Sequence, residues 1–595
     1  MSLPVFSTQT ELFSTAGLSG QLFLPTDRYR LFSLKVYPVL ARSRPQLAKC
    51  YCAEAGRAAI EPTLLLGVTY LQHLEGLPDR QALEMLKYHT GWNFALNRHV
   101  GDPLFHPTTL VNFRQRLIDG DLKDLGFAAI LEALIEAGLV PRHSRQRLDS
   151  TQMFGRVSRM SRLDCVRETL RLALQELGEA VAAAGRPEGW PRWWERYVES
   201  QTDYRASLET LASKLAEAGH DAQQVLNWLK QPAAKAWAGG PQAQLLARVF
   251  AEQFESVPVP AQPPAKEALP AGPAPTVAEP AAGAPALAAP PTLSESTLAP
   301  VAVQPKDKKE LDSDRVQNPH EPEATYASKG AGEHRKEHVG YKVQVAETVS
   351  EKALAPGEPT ENFLTGMVTH PAWESDEAGA EKMEAEQAAM GLLAKPPVHY
   401  VDAAYISTEE LRRAANEGRE LIGPVPASGG PNKGFFPSDQ FDVRVEARQA
   451  TCPAGKLNTQ CSRLVEAATE KVSFRFEWNN ELCDACPLRS QCVKKELPHR
   501  SLVVGEHHTI LQARRREQKT QAFKERMKHR NAIEGTQSEL VRAHGLRRAR
   551  YRGLPKAKLQ NYFIGAACNV KRWLRRAAWE LQSGLTAQLS AAPAS

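Results

Sequence analysis

The sequence lacks any long hydrophobic run. None of its apolar stretches approaches the roughly 18 residues that a membrane-spanning helix needs, which argues against a membrane protein. The first residues, MSLPVFSTQTELF, lack a basic segment followed by an apolar one, so we expect no secretory signal and a cytoplasmic protein. Hydrophobic residues make up 42% and charged residues 24% of the 595, as in ordinary globular chains.

Cysteine is also scarce, with nine residues, and this excludes a disulfide scaffold. Their clustering instead predicts a local metal site, because Cys483-x2-Cys486-x5-Cys492 is preceded by Cys452 in TCPAG. Four thiolates in tetrahedral geometry suit a structural Zn²⁺ ion. Free buried thiols and an iron–sulfur cluster are the alternatives. Cys461 is a spare candidate ligand, and the remaining cysteines are expected to be packing residues.

Acidic residues are rare in one block of the chain. Residues 514–576 contain 19 Lys and Arg against 4 Asp and Glu, a local net charge of +15 in a chain of +6. Such a block suits a polyanion, because phosphate contacts dominate nucleic-acid affinity, although a solvated helical face is the alternative. The candidate phosphate contacts around Tyr551 are Arg547, Arg548, Arg550 and Arg552.

The N-terminal residues 1–140 are predicted to form an all-α domain. In FHPTTLVNFRQRLI, Pro107 and Thr108 are typical of a helix start, and an apolar face follows at helical spacing from Leu110 to Leu117. Arg114 and Arg116 project elsewhere and are candidate DNA contacts. Helix–turn–helix DNA binding and a helical packing or dimerisation domain explain this region equally well.

The rest of the chain divides by composition. The Pro/Ala tract holds 13 of the 42 prolines between residues 257 and 305, too little apolar surface to fold alone. The predicted segments are a first core strand (141–160), a helical insertion (161–256), a Pro/Ala-rich linker (257–325), an α/β core (326–429), a small cysteine-rich insertion (430–507) and a basic helical C-terminus (508–595).

Three carboxylates stand at suggestive places. Asp149 lies in a strand-like run, LDSTQ; Asp402 ends the apolar run of HYVDAAY; and Glu534 lies on a helix, RNAIEGTQSE. A lone aspartate at a strand end is usually a cap or loop hydrogen-bonder. Together, however, such carboxylates can converge on a pair of Mg²⁺ ions about 3.5–4 Å apart, since Mg²⁺ prefers oxygen ligands.

The order of these pieces resembles the DDE-type transposases of bacterial insertion sequences. The matching segments are DRQALEML, TTLVNFRQRL, LDSTQ, SRLDCVRETLRLAL, GYKVQVAET, YVDAAYIS, CPAG, CDACPLRSQC, RNAIEGTQSELVRAHGLRRARYRG and KLQNYFIGAACNVKRWL. The resemblance implies an RNase H-like mixed sheet flanked by helices. It also implies that Asp149, Asp402 and Glu534 are the metal-binding triad, with Mg²⁺ or Mn²⁺ as cofactor.

Such enzymes often carry Tyr-x2-Arg-x3-Glu-x6-Lys around the glutamate. Arg530 and Glu534 match its centre, whereas Met527 and Val541 stand where the tyrosine and lysine would be, with Arg542 one residue further on. Arg530 is expected to hold a phosphate or to orient the glutamate. Gly535 costs a mid-helix position about 1 kcal/mol relative to alanine, which a close approach of DNA or a simple kink would explain.

The resemblance implies cleavage of double-stranded DNA at transposon ends and strand transfer into target DNA. Pairing two ends suggests a homodimer or larger assembly on the nucleoid. A non-catalytic DNA-binding protein derived from a transposase, and a metal-dependent nuclease without joining activity, are the alternatives. For the fold, we expect the strands near residues 147, 341, 364, 399 and 421 to form one sheet.

Overall fold

The structure is a computed structural model that describes residues 3, 14–52, 58–99, 101–200, 207–258, 301–330, 332–350, 352, 354–426, 428, 434–467 and 470–591. The chain divides into two compact units. One comprises Met1–Val157 and Glu323–Ser595, and the other Ser158–Pro322. Among the described residues, no helix has both the length and the apolar character to cross a membrane.

The helices are α1 (Thr15–Ser19), α2 (Arg28–Leu31), α3 (Tyr37–Arg42), α4 (Arg44–Ala48), α5 (Pro62–Glu75), α6 (Asp79–Tyr88), α7 (Thr90–Ala95), α8 (Thr108–Asp119), α9 (Leu125–Glu136), α10 (Arg162–Ala180), α11 (Trp190–Trp194), α12 (Leu208–Lys230), α13 (Pro241–Gln253), α14 (Asp376–Met390), α15 (Thr408–Asn416), α16 (Asn480–Asp484), α17 (His508–Glu517), α18 (Gln521–Asn531), α19 (Ile533–His544) and α20 (Leu554–Ala591). The strands are β1 (Gln146–Phe154), β2 (Phe254–Pro258), β3 (Val301–Pro305), β4 (Thr325–Lys329), β5 (Lys336–Thr348), β6 (Leu364–Pro371), β7 (Val398–Tyr400), β8 (Glu420–Ile422), β9 (Asp442–Arg444), β10 (Gln449–Thr451), β11 (Gln460–Val465), β12 (Val472–Glu477) and β13 (Ser501–Gly505).

The larger unit is built around a mixed sheet in the order β4-β5-β1-β7-β8, with β6 also paired to β5. Strand β5 runs antiparallel to β1, β4 and β6. Strand β7 runs parallel to both β1 and β8. The predicted mixed sheet is therefore confirmed, including all five of the strands named from the sequence. Since β1 has a neighbour on each side, it lies in the interior of the sheet.

The N-terminal helices share a hydrophobic core with this sheet. Helix α5 is buried along most of its length and packs against α20, which in turn packs against β6, and one hydrophobic cluster includes residues of all three and of β5. Helix α8 begins at Thr108 after Pro107 and buries Leu110, Phe113 and Leu117, as predicted. The region predicted as a separate domain, 1–140, therefore belongs to the same compact unit as the sheet.

The smaller unit is mainly helical, with α10 packed against α12 and α13 around a tryptophan-rich core. Strands β2 and β3 pair antiparallel, Phe254 opposite Pro305. The predicted linker, 257–325, thus has an ordered beginning and end, because FESVP and VAVQP can form a ladder and Phe254 is buried. Its middle, 259–300, lies outside the described residues.

The cysteine-rich region contains two small sheets. Strands β9 and β10 form a hairpin, and β11-β12-β13 form an antiparallel meander. Their common core is aromatic, with Phe441, Phe476 and Trp478 buried beside Cys483 and Cys492. This region has its own hydrophobic cluster.

Candidate active site

The sheet brings the two aspartates side by side. Strands β1 and β7 are parallel neighbours, with Arg147 opposite Tyr400. Asp149 and Asp402 each lie two residues beyond that pair, with Asp149 still within β1 and Asp402 just past the end of β7. The Asp149 carboxylate accepts a hydrogen bond from the backbone amide of Ser150 at 2.8 Å. Asp402 caps the short turn that follows β7.

The glutamate comes from the other side of the site. Helices α18 and α19 follow one another around Ala532, so Arg530 lies in the last turn of one and Glu534 in the first turn of the next. The side-chain amide of Gln537 donates to the Ser150 carbonyl at 3.1 Å and so ties α19 to β1. Glu534 is 70% exposed, and its carboxylate faces solvent.

One guanidinium group joins the three carboxylates. Arg530 lies 2.8 Å from Asp149, 3.4 Å from Asp402 and 3.7 Å from Glu534. The first two contacts share the same nitrogen, Nη2, so the two aspartate oxygens are at most about 6.2 Å apart, the two distances added. Residues 149, 402 and 534 therefore all contact one guanidinium group. Arg530 lies between the carboxylates instead of on the outer surface.

The charges of this site are unbalanced. Three carboxylates surround a single guanidinium, so the group carries an excess of about two negative charges. Burial raises the pKa of Asp149, although Arg530 and the Ser150 amide oppose the shift and Asp402 adds to it. The Nε atom of Arg530 is buried without a hydrogen-bond partner. Carboxylate oxygens with excess negative charge fit hard divalent cations such as Mg²⁺.

Two positions around Glu534 differ from the family pattern, and both hold apolar residues that pack in the interior. Met527 packs against Phe523, Tyr400 and Ile422, and Val541 packs against the main core, so both act as apolar contacts. Arg542 is exposed. Gly535, beside Glu534, is exposed, and an added Cβ there would meet nothing within 4 Å.

The predicted DNA-binding arginines divide into two groups. Arg114 was predicted to contact DNA, but the structure differs: Arg114 is buried and both of its terminal nitrogens pair with Asp79. Its guanidinium also lies over the ring of Tyr551. The other arginines with internal contacts are Arg116 over the Tyr51 ring, Arg547 on the Gln152 carbonyl and Arg550 on the Leu77 carbonyl. The exposed ones are Arg542, Arg548 and Arg552.

The four predicted thiols line one small cavity of about 20 Å³, together with Trp478 and Arg500. Cys452 begins a tight turn in which the Lys456 amide donates to its sulfur at 3.4 Å. Burial raises the pKa of Cys492 to about 11, and the other three thiols contribute in the same direction while Arg500 opposes it. Cys461 lies instead on β11, opposite Phe476.

Within the described part of the chain, the four thiols do not form a group of three whose ligand atoms all lie within 4.8 Å of one another. Sulfurs on one Zn²⁺ ion stand about 3.8 Å apart, given Zn–S bonds near 2.3 Å. Among the described residues, the trio with ligand atoms within 4.8 Å of one another is Glu539, His544 and Cys568. Both oxygens of Glu539 already accept from Lys571 and Arg572, so that trio is an internally paired cluster.

The sequence reasoning missed a set of buried charges next to this site. Arg147, Glu347 and Arg572 are nearly inaccessible to solvent and bond to one another. One signal was present in the sequence, because Glu347 directly follows the apolar residues Val345 and Ala346 near the end of β5. A charge at such a position must find buried partners.

Two sequence families match parts of the chain. Residues 451–574 match a family described as a transposase DDE domain, and residues 22–116 match one described as a transposase domain (DUF772). The first span contains Glu534 and the four thiols, and neither span contains Asp149 or Asp402. No curated protein and no solved structure matches the chain.

Proposed function

This chain belongs to the DDE-type transposases of insertion sequences, and on that premise we propose that it cuts DNA at transposon ends and joins them to target DNA. The observation that carries the proposal is the meeting of Asp149, Asp402 and Glu534 around Arg530. These groups come from two neighbouring strands and a helix, which is the arrangement that the resemblance implies.

We assign the sheet to the RNase H-like type. Its support is the strand order, because three antiparallel strands, β6, β5 and β1, are followed by the parallel strands β7 and β8. Asp149 stands on the central strand β1, and Asp402 follows directly after its parallel neighbour β7. The 158–322 unit would then be an insertion between the first and second strands of that core.

The carboxylates of the site would hold the divalent ions. Bound Mg²⁺ would activate the attacking oxygen and stabilise the leaving oxygen of an in-line displacement at phosphorus. A water molecule would attack first and leave a 3′-hydroxyl at the transposon end, and that hydroxyl would then attack a phosphodiester of the target. Arg530 compensates the carboxylates in the free protein and would turn towards a phosphate as the dications take its place.

Binding and positioning of DNA would rest on the basic C-terminal block. Arg542, Arg548 and Arg552 are its exposed members among the predicted contacts. Exposed Gly535 leaves space beside Glu534, which a DNA backbone could occupy at close range. A homodimer holding two transposon ends completes the proposal, and the cysteine cavity would hold one structural Zn²⁺ ion.

The test is the substitution Glu534→Gln. It removes one charged ligand of a metal that stabilises charge in the transition state, so we expect cleavage and joining to fall by at least about 10²–10³-fold. Affinity for DNA should be unchanged or slightly higher, because a negative charge is lost. Both are measured with labelled transposon-end DNA, by Mg²⁺-dependent cleavage and by gel-shift titration.

The matched control impairs DNA binding instead of cleavage. Replacing Arg542, Arg548 and Arg552 together by Gln should weaken DNA binding and reduce its salt dependence, while the metal site remains intact. If Glu534→Gln cut DNA at the wild-type rate, the assignment of the third ligand would be wrong. If the wild-type protein cut DNA but never joined it, the protein would be a nuclease.

A further inference from the structure

Beside the candidate active site, the sheet buries a second group of charges centred on Glu347. This residue lies on β5, is fully buried, and stands directly opposite Arg147 of β1. The Nε atom of Arg147 donates to one oxygen of Glu347 at 2.6 Å. From α20, Nη1 of Arg572 donates to the other oxygen at 3.0 Å. Two guanidinium groups therefore flank one inaccessible carboxylate.

The same group reaches the helix that carries Glu534. The hydroxyl of Thr536 lies 2.9 and 2.8 Å from the two oxygens of Glu347, to which it donates its hydrogen. It accepts in turn from Nη2 of Arg572 at 2.8 Å. Thr536 lies two residues after Glu534 in the first turns of α19. Buried hydrogen bonds through Glu347, Thr536 and Arg572 thus connect the sheet to α19, the helix that carries Glu534.

A second branch reaches the helix that carries Arg530. Nη1 of Arg147 donates to the backbone carbonyl of His529 at 2.7 Å, one residue before Arg530. Arg147 and Asp149 lie two residues apart on β1 and therefore face the same side of the sheet. The buried charges consequently fix α18 and α19 relative to the strand that supplies Asp149.

We propose that Glu347 and the hydroxyl of Thr536 are positioning residues that set α18 and α19 on the sheet so that Arg530 and Glu534 meet Asp149. The inference rests on the proposed function, because it concerns the geometry of that same site. Glu347 and Thr536 act through the helices that carry Arg530 and Glu534, and neither residue touches the three carboxylates, substrate or metal.

A purely structural role explains this arrangement less well. Replacing buried ion pairs by well-packed apolar residues is often neutral or stabilising, so the fold alone gives little reason for such charges. The other buried residues of α19 include Ile533 and Leu540, whose apolar contacts are non-directional and permit small shifts. The hydrogen bonds of Thr536 and Arg147 are directional, and they fix the helices at the sub-ångström level that catalysis needs.

The experiment compares Thr536→Val with Thr536→Ser. Valine keeps the shape but deletes the hydroxyl, and serine restores it. For Thr536→Val, we expect the single-turnover cleavage rate and the affinity for Mn²⁺ to fall roughly 10- to 100-fold, as when an outer partner of a metal ligand is lost. The affinity for transposon-end DNA should stay within about twofold, because no exposed arginine is changed. Thr536→Ser should recover most of both losses.

Thr369→Val is the matched control. Thr369 is also buried in the same unit, and its hydroxyl accepts a hydrogen bond from Asn561 on α20 at 2.8 Å. This bond does not involve α18 or α19. The control should lose thermal stability as Thr536→Val does, yet keep its cleavage rate and Mn²⁺ affinity. Mn²⁺ binding is measured by calorimetry without DNA, and melting temperatures are measured alongside.

Two results would overturn the inference. One is a Thr536→Val protein whose cleavage rate and Mn²⁺ affinity match those of the Thr369→Val control. The other is a Thr536→Ser protein that is as impaired as Thr536→Val. Failure of the proposed function looks different, because wild-type protein would then show no cleavage and Glu534→Gln would leave Mn²⁺ binding unchanged.

Discussion

The carboxylate site and the cysteine cavity each gather ligands of one kind, but they compensate charge differently. The carboxylates are paired with the guanidinium of Arg530. In the cavity, burial raises the pKa of Cys492 to about 11, so this thiol is neutral at physiological pH and needs no counter-ion. A metal would therefore displace a guanidinium at the first site and release protons at the second.

The two sites also differ in how the chain assembles them. Asp149, Asp402 and Glu534 are far apart in sequence, and the whole sheet with its helices determines their geometry. The thiols come from short turns within residues 452–492, beside a small aromatic core. The comparison teaches that the whole fold determines the geometry of the first site, whereas short local turns and a small aromatic core determine that of the second.

Metal removal at the cavity would give the largest effect. We expect purified protein to contain about one Zn²⁺ ion per chain, and Cys483→Ser to lose it, because a structural zinc site needs its full ligand set. Zinc affinity should fall as the pH is lowered, since protons compete for the thiolates. The checks are metal analysis and limited proteolysis of residues 436–505, which should become sensitive to cleavage.

Cys461→Ser is the control for this prediction, because Cys461 lies on β11 away from the cavity. It should keep both the zinc and the resistance to protease. The assignment would be contradicted if wild-type protein contained no zinc and a chelator left its resistance to protease unchanged. The four residues would then be free cysteines.

A smaller effect is expected at the carboxylate site, where removal of one charge should raise the stability of the protein instead of lowering it. Burial raises the pKa of Asp149, so the folded protein disfavours its ionised form. This destabilising contribution is absent at acidic pH, grows once the pH exceeds the lower pKa of the unfolded protein, and is complete above the raised pKa. Asp149→Asn removes the charge, so we expect its melting temperature at neutral pH to rise by on the order of 2 °C, while cleavage is lost.

The gain should vanish at acidic pH, where Asp149 is protonated in both the folded and unfolded protein. Exposed Asp439 provides the comparison, because Asp439→Asn alters a solvated carboxylate outside the site. Thermal melts at the two pH values measure the difference. A loss of stability in Asp149→Asn at neutral pH would mean that the pairing with Arg530 outweighs the cost of burial.

The smallest effect concerns the counter-charge itself. Arg530 lowers the pKa of Asp149 against the larger effect of burial, so Arg530→Gln should raise that pKa further. The acid limb of the cleavage–pH profile should therefore move to higher pH, beyond any loss in the maximal rate. An acid limb that stays in place would show that protonation of Asp149 does not control cleavage.

Much of the fold could be predicted because its signals are local. The alternation in GYKVQVAET, the apolar run ending at Asp402 and the Pro107–Thr108 helix start each indicated an element that is present. The three carboxylates were found from their positions on two strands and a helix. Their convergence followed from the resemblance, because sequence spacing alone does not bring residues 149 and 534 together.

Other features depend on partners that sequence patterns do not reveal. Arg114 is of a residue type that often contacts phosphate, but here it forms an ion pair with Asp79. That pair depends on how α8 packs against α6, which the sequence pattern does not reveal. Glu347 and Arg572 are 225 residues apart and meet only in the folded sheet. The shared core of α5 and α20 likewise joins the two ends of the chain, and no periodicity within either helix predicts it.

The position of the 158–322 unit has a consequence for synthesis of the chain. Strand β1 pairs along its full length with β5, which ends at Thr348, so its main partner is translated almost 200 residues later. At about 5–20 residues per second, β1 waits roughly 10–40 s for that partner. During this interval an interior strand, which already carries Asp149, has neither of its neighbours, and the ribosome-bound chain is exposed to premature strand pairing until β5 emerges.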